Sequence, residues 1–151
     1  MNLLLSKKVD SIILVGSNFI APTEIENAYI ADAAQQVPIM LLNAAYHYSN
    51  VYSTVCDEHA AMYEAAAAMI DSGIRDVIYI YNSDSYSGTR KRRGVQDAMK
   101  ERGIADFSKY IYRYNGKPDV LSDITHFVAQ IADSGSTFHG VIAAEDSLAM
   151  G

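Results

Sequence analysis

Short apolar runs alternate along this chain with longer segments whose apolar residues recur at helical spacing. Residues 11–15 (Ser-Ile-Ile-Leu-Val), 39–42, 51–55, 76–81 (Asp-Val-Ile-Tyr-Ile-Tyr), 110–114 and 140–144 read as strands. Several are almost continuously apolar, the pattern of strands buried on both faces. Helices are predicted over residues 22–36, 58–72, 89–102 and 120–132, with the tail of another at 3–8. Val37-Pro38 breaks the first of these, and Gly73 and Gly103 end the next two. The inward faces are expected to carry Ile25, Ala28, Tyr29 and Ala33, then Met62, Ala65, Ala66, Met69 and Ile70, then Val95, Ala98 and Met99. Thr23 and Asp146 are candidate helix caps. The alternation predicts an α/β fold of right-handed βαβ units on mainly parallel sheets. No solenoid repeat or low-complexity linker interrupts it.

The chain has 151 residues, half of them hydrophobic and a fifth charged, so it can bury a core of globular type. Its formal net charge of -6 argues against this segment gripping nucleic acid, which takes a basic face. The densest basic run, Arg90-Lys91-Arg92-Arg93, reads as a solvated helix face. A single cysteine, Cys56, excludes a disulfide within the chain and is expected to be a buried apolar filler. No stretch approaches the roughly 18 apolar residues of a membrane span. The start, Met1-Asn-Leu-Leu-Leu, lacks the basic start, long apolar core and small-residue cleavage site of a signal peptide.

Motifs of catalysis are missing. There is no glycine-rich dinucleotide or Walker-type phosphate loop and no Gly-x-Ser-x-Gly elbow. His47, His59, His126 and His139 fall in different elements. In Asp57-Glu58-His59 the side chains of neighbouring helical residues diverge. The expectation is no metal, no cofactor and no enzyme.

What remains is polar chemistry at strand ends: Ser17 and Asn18; Asn43; Asp57; Ser83, Asp84, Ser85 and Ser87; Tyr114 and Asn115; Glu145 and Asp146. Parallel strands bring such ends to one edge, where open α/β folds bind ligands. Amides, carboxylates and hydroxyls interleaved with tyrosines suit a small polyhydroxylated ligand. Each is also a common turn or cap residue, and only the set points to a cleft.

Five phrases, in order and nearly end to end, resemble the effector-binding core of the LacI/GalR family of bacterial transcription regulators. They are Leu4-Leu5-Ser6-Lys7-Lys8-Val9-Asp10-Ser11-Ile12-Ile13-Leu14; Val37-Pro38-Ile39-Met40-Leu41-Leu42-Asn43; Asp57 through Ala68-Met69-Ile70-Asp71-Ser72-Gly73 to Ile78-Tyr79-Ile80; Ser87 with Lys91 and Gly94-Val95; and Ala143-Ala144-Glu145-Asp146-Ser147-Leu148-Ala149-Met150-Gly151. The resemblance implies two Rossmann-like lobes of periplasmic-binding-protein type, incomplete at both ends, with an effector between them. Residues 1–57 would be part of the N-terminal lobe and 58–151 most of the C-terminal lobe, with the crossing near Asp57.

It further implies effector contacts at Asn43, Asp57, Ser87, Lys91, Tyr114 or Asn115, Glu145 and Asp146. Three positions depart from the family pattern. Asn43 stands where Asp is frequent, Lys91 where most members have Arg, and Glu145 where Asn is usual. Lys91 keeps the charge of Arg but loses its planar fork. The implied partners are a small sugar-like effector, a second copy of the chain in a homodimer, and operator DNA reached only through a headpiece that this sequence does not contain. No membrane partner is implied. The chain breaks off barely one turn into its last helix, as expected of a fragment, and unprotected sheet edges and apolar surface should follow. A solute-binding protein of a transport system and a small α/β enzyme are the competing readings.

Overall fold

The computed structural model describes residues 1–15, 20–21, 23–116 and 121–150. The expected strand-end residues Ser17 and Asn18, the start of the first predicted helix at Pro22, Lys117-Pro118 of the turn after the fifth strand, Val120 and Gly151 lie outside them. Among the described residues, six strands and six α-helices run α1 (Asn2–Ser6), β1 (Ile12–Val15), α2 (Ala28–Ala34), β2 (Ile39–Leu42), β3 (Val51–Thr54), α3 (Glu58–Asp71), β4 (Val77–Tyr81), α4 (Tyr86–Glu101), β5 (Ile111–Arg113), α5 (Leu121–Asp133), β6 (Gly140–Ala143) and α6 (Asp146–Ala149). All strand pairs are parallel, in two sheets of order β1-β2-β3 and β5-β4-β6. The chain divides into two compact units, Met1–Asp57 with Asp84–Ser87, and Glu58–Ser83 with Gly88–Gly151.

In the first unit, Ile12, Ile39 and Leu41 bury one sheet face against Ile30, Ala33 and Ala34 of α2. The helix face differs from the one expected: Ile25 is 88% exposed, and Ala28 and Tyr29 also face outward. Asn27 is the cause. Its buried amide donates to the carbonyls of Ala21 and Thr23 and accepts the Ala21 N–H, all within 2.9 Å. These bonds bind it backward to the preceding turn and split the predicted helix into a 3₁₀ turn, Ile25–Asn27, and α2. Thr23 caps no backbone group; its hydroxyl donates to the Glu26 carboxylate at 2.5 Å. The opposite sheet face stays apolar and open. Ile13, Met40 and Tyr52 are register partners across it, and Ile13 and Tyr52 are 62% and 57% exposed. Cys56, expected to be buried, is exposed, because it follows the edge strand β3 and no described element packs over it.

In the second unit, β4 is central, and Val77, Ile78, Tyr79 and Ile80 are all buried. Helix α3 turns Ala66 and Ile70 inward with Met62 and Met69 packed against the core, as expected; only Ala65 differs, lying exposed while Ala67 is buried. Helix α4 buries Val95, Ala98 and Met99 as expected, and α5 contributes Ile124 and Ile131. Both helices preceding a glycine stop end in the same motif. Gly73 (φ +102) and Gly103 (φ +67) take the left-handed conformation, and the next residues, Ile74 and Ile104, bond back to Met69 and Met99.

Helices α3 and α4 touch at Gly94, where a Cβ would stand 2.2 Å from the His59 carbonyl oxygen. Around that contact the helices are tied by His59–Asp97 at 2.8 Å, by Tyr63 donating to Glu101 at 2.5 Å, and by a two-pronged Arg102–Asp71 pair at 2.8 Å. Elsewhere His139 meets Asp76 at 2.5 Å, joining the entries of β6 and β4.

Two expectations follow. Gly94→Ala should destabilise the protein by about 1–3 kcal/mol through overpacking, although Gly→Ala in an open helix stabilises; a urea-denaturation midpoint that rises would contradict the close approach. The hydrogen bond from Arg102 holds the Asp71 carboxyl below its ordinary range, and the bond from His139 does the same for Asp76. Depressed carboxylates stabilise above their unfolded pKa, about 3.9, and lose that contribution as pH falls through the lower folded value. The melting temperature should therefore fall modestly below about pH 4, since both pairs are solvent-screened, and by less in Arg102→Met, as read by calorimetry across pH.

Candidate functional site

Parallel pairing sends the carboxyl ends of β5, β4 and β6 to one edge of their sheet, the edge at which such folds bind ligands. The β4–β6 register sets Ile80 opposite Ala143. Continued by two residues, it sets Asn82 opposite Glu145. The ladder extends beyond the strands, for Ala144 N–H donates to the Ile80 carbonyl at 2.9 Å and Tyr114 N–H to that of Tyr81 at 2.7 Å. The Asn82 amide then donates to a Glu145 carboxylate oxygen at 3.3 Å. Lys91, one turn into α4, donates its ammonium to the Ala144 carbonyl at 3.0 Å. A cation, an anion and an amide are thus gathered at the ends of two adjacent strands.

The aromatic floor of this edge is β4 itself. Tyr79 and Tyr81 stack at 5.9 Å, and the Arg92 guanidinium lies 4.7 Å from the Tyr81 ring. Burial pushes the Tyr79 hydroxyl far above its ordinary range. Among the described residues, that hydroxyl and Asn82 Oδ1 are buried without a hydrogen-bond partner.

The other candidates are placed as follows. Glu145 holds the cap position of α6 in extended backbone (φ -143, ψ 152) and makes no side-chain cap bond. Asp146, the expected cap, is the first helical residue, and its carboxylate accepts the Ser147 N–H at 2.9 Å. The cap shifts by one because the ladder holds Ala144, so the chain can leave extended geometry only after Glu145. Tyr114 is buried, with its ring edge against Phe127 at 5.3 Å, while Asn115 is exposed. Ser87 is buried and already helical, since α4 begins at Tyr86 rather than after the predicted loop to Gly88. Ser83, Asp84 and Ser85 form the remaining link and are half-buried.

In the first unit, Asn43 is exposed, has a φ of +61, and donates its N–H to the Thr54 carbonyl at 2.8 Å. Asn tolerates that left-handed turn better than most residues, a local reason for its presence. Asp57 is exposed immediately before α3. Among the described residues, no group of three or more histidine, cysteine or acidic side chains could hold a metal ion, and no helix is long and apolar enough to cross a membrane.

Asn82, which the sequence pattern does not single out, joins the candidate residues at this edge. No local signal would have found it, because its place beside Glu145 follows from the β4–β6 register.

The whole chain, residues 1–151, matches the family model for periplasmic binding proteins and the sugar-binding domain of the LacI family. It is 37% identical over its full length to an HTH-type transcriptional regulator of Lachnoclostridium phytofermentans, of which it covers 44%. It is 30% identical over 98% of its length to the HTH-type transcriptional regulator AscG of Escherichia coli, covering 42% of that protein. A solved sugar-binding LacI-family regulator from Escherichia coli, in complex with phosphate, superposes with a TM-score of 0.78 at 27% identity, over 99% of this chain and 51% of that one. The chain therefore spans about half the length of the proteins it matches, or less.

Lys91→Met should cost about 1–2 kcal/mol, because it leaves the Ala144 carbonyl without its charged donor. Chemical denaturation measures this; an unchanged midpoint would show that the contact adds nothing.

Proposed function

The chain belongs to the family of periplasmic binding proteins and sugar-binding domains of LacI-type regulators, and from that premise we propose that it is the effector-sensing core of a DNA-binding transcriptional regulator. The observation that carries this reading is the alignment of the entire chain with a helix-turn-helix-type regulator at 37% identity. The named relatives are regulators, which are not enzymes, and none is named as a transport protein; this favours a sensor over a carrier.

In this reading residues 1–57 supply part of an N-terminal lobe and residues 58–151 most of a C-terminal lobe. The effector is a small, hydroxyl-rich metabolite such as a sugar. Asn43, Asp57, Ser87, Lys91, Asn115, Glu145 and Asp146 contact it, and Tyr114 packs beneath that edge. Carboxylates and amides accept from hydroxyls, the ammonium donates to them, and tyrosine faces cover apolar ring surface. The effector shifts the regulator between two conformations by as much as its affinity for them differs. The regulator works as a cytoplasmic homodimer whose DNA contacts come from a separate headpiece. The acidic segment itself binds no DNA.

A thermal-shift screen of mono- and disaccharides on the intact regulator tests this. A cognate sugar at about 100 times its Kd should add about 2.7 kcal/mol and raise the melting temperature by roughly 5–10 °C. The same sugar should alter retention of operator DNA. Absence of any shift across the screen would remove the effector reading, and salt-sensitive binding of duplex DNA by residues 1–151 alone would remove the headpiece assignment.

A further inference from the structure

We infer that Asn82 is a positioning residue for specificity: it holds the Glu145 carboxylate so that the edge of the C-terminal unit accepts hydrogen bonds from an uncharged, hydroxyl-bearing effector and rejects the phosphorylated or acidic form of the same compound. This rests on the effector reading above and deepens it.

The geometry carries the inference. Register brings Asn82 beside Glu145, and the amide donates to the carboxylate at 3.3 Å. An ionised carboxylate only accepts, so the amide must present its nitrogen, and Oδ1 is turned to a buried position. Glu145 is otherwise unspent. Its side chain makes no cap bond to α6, and the nearby Ser147 N–H goes to Asp146 instead. Both of its oxygens retain acceptor capacity, and the residue is exposed at the sheet edge.

Lys91 completes the pattern. One of its three N–H donors is held by the Ala144 carbonyl, which fixes the ammonium at the residue preceding Glu145. The edge therefore offers donors at Lys91 and acceptors at Glu145. A hydroxyl, which donates one bond and accepts others, satisfies both. A carboxylate or a dianionic phosphate has no proton to give Glu145 and meets its charge. The positive charge of Lys91 is offset by Glu145 and followed by a second anion, Asp146, and the other cation at this edge, the Arg92 guanidinium, lies against the Tyr81 ring.

The probes are free pentoses, hexoses and disaccharides, each paired with its own phosphate ester and sugar acid, titrated calorimetrically into the intact regulator. The tightest free sugar should bind at least about tenfold better than its ester or acid. Glu145→Gln should narrow that ratio to less than about threefold by improving the charged probe. Asn82→Ala should weaken the free sugar about tenfold and reduce discrimination, and Asn82→Gln, which keeps the amide donor, should restore part of both. Should Asn82→Ala not fold, Asn82→Ser, which keeps a polar group but is too short to reach Glu145, takes its place, and an unchanged affinity and ratio in either variant overturns the role of Asn82. An ester bound as tightly as its free sugar, or a ratio unmoved by Glu145→Gln, overturns the inference while leaving the effector reading intact. A panel in which nothing binds overturns the effector reading, and the inference with it.

Discussion

The parallel ladder of β4 with β5 and β6 is the constraint on which the second unit depends. A strand with neighbours on both sides and helices packed against it must be apolar on both faces, and Val77–Ile80 are. The same in-register pairing that buries those residues sets Asn82 opposite Glu145 once the strands end. Core and site are therefore two consequences of one alignment. A slip of one residue would turn Tyr79 and Tyr81 to the other face and separate the amide from the carboxylate.

Helix α4 transmits that order to the edge. Its position depends on Gly94, because only a residue without a Cβ lets α4 lie against the backbone of α3 at His59. Polar ties on the outside of the helix pair, including the Arg102 fork on Asp71, fix how one helix lies along the other. Lys91 and Arg92 then arrive from the same helix, one at the Ala144 carbonyl and the other over the Tyr81 ring. In the run Arg90-Lys91-Arg92-Arg93, which reads in sequence as a solvated face, at least two cations have specific structural partners.

The first unit is built more sparingly. One sheet face is covered by α2 and knitted by the three bonds of the buried Asn27; the other presents Ile13, Met40 and Tyr52 in a row. Strands of a parallel sheet are apolar on both sides because both are ordinarily packed. The open row follows from the same composition that made these strands recognisable.

By itself the sequence determined the order and kind of the elements, the parallel class of the sheets, the glycine stops at Gly73 and Gly103, and the polar character of the strand ends. These are local properties, set by residue periodicity, backbone freedom and turn chemistry. It misjudged the inward face of α2, the burial of Cys56, the cap of α6 and the start of α4. For the first three the deciding feature was a specific contact or its absence that periodicity does not carry: the bonds from Asn27 back to Ala21 and Thr23, the lack of packing outside edge strand β3, and the ladder bond that holds Ala144. Tertiary structure alone decided that Lys91 would reach Ala144 and that Asn82 would face Glu145, because residues 63 positions apart meet only through the register of two strands whose pairing no local pattern encodes.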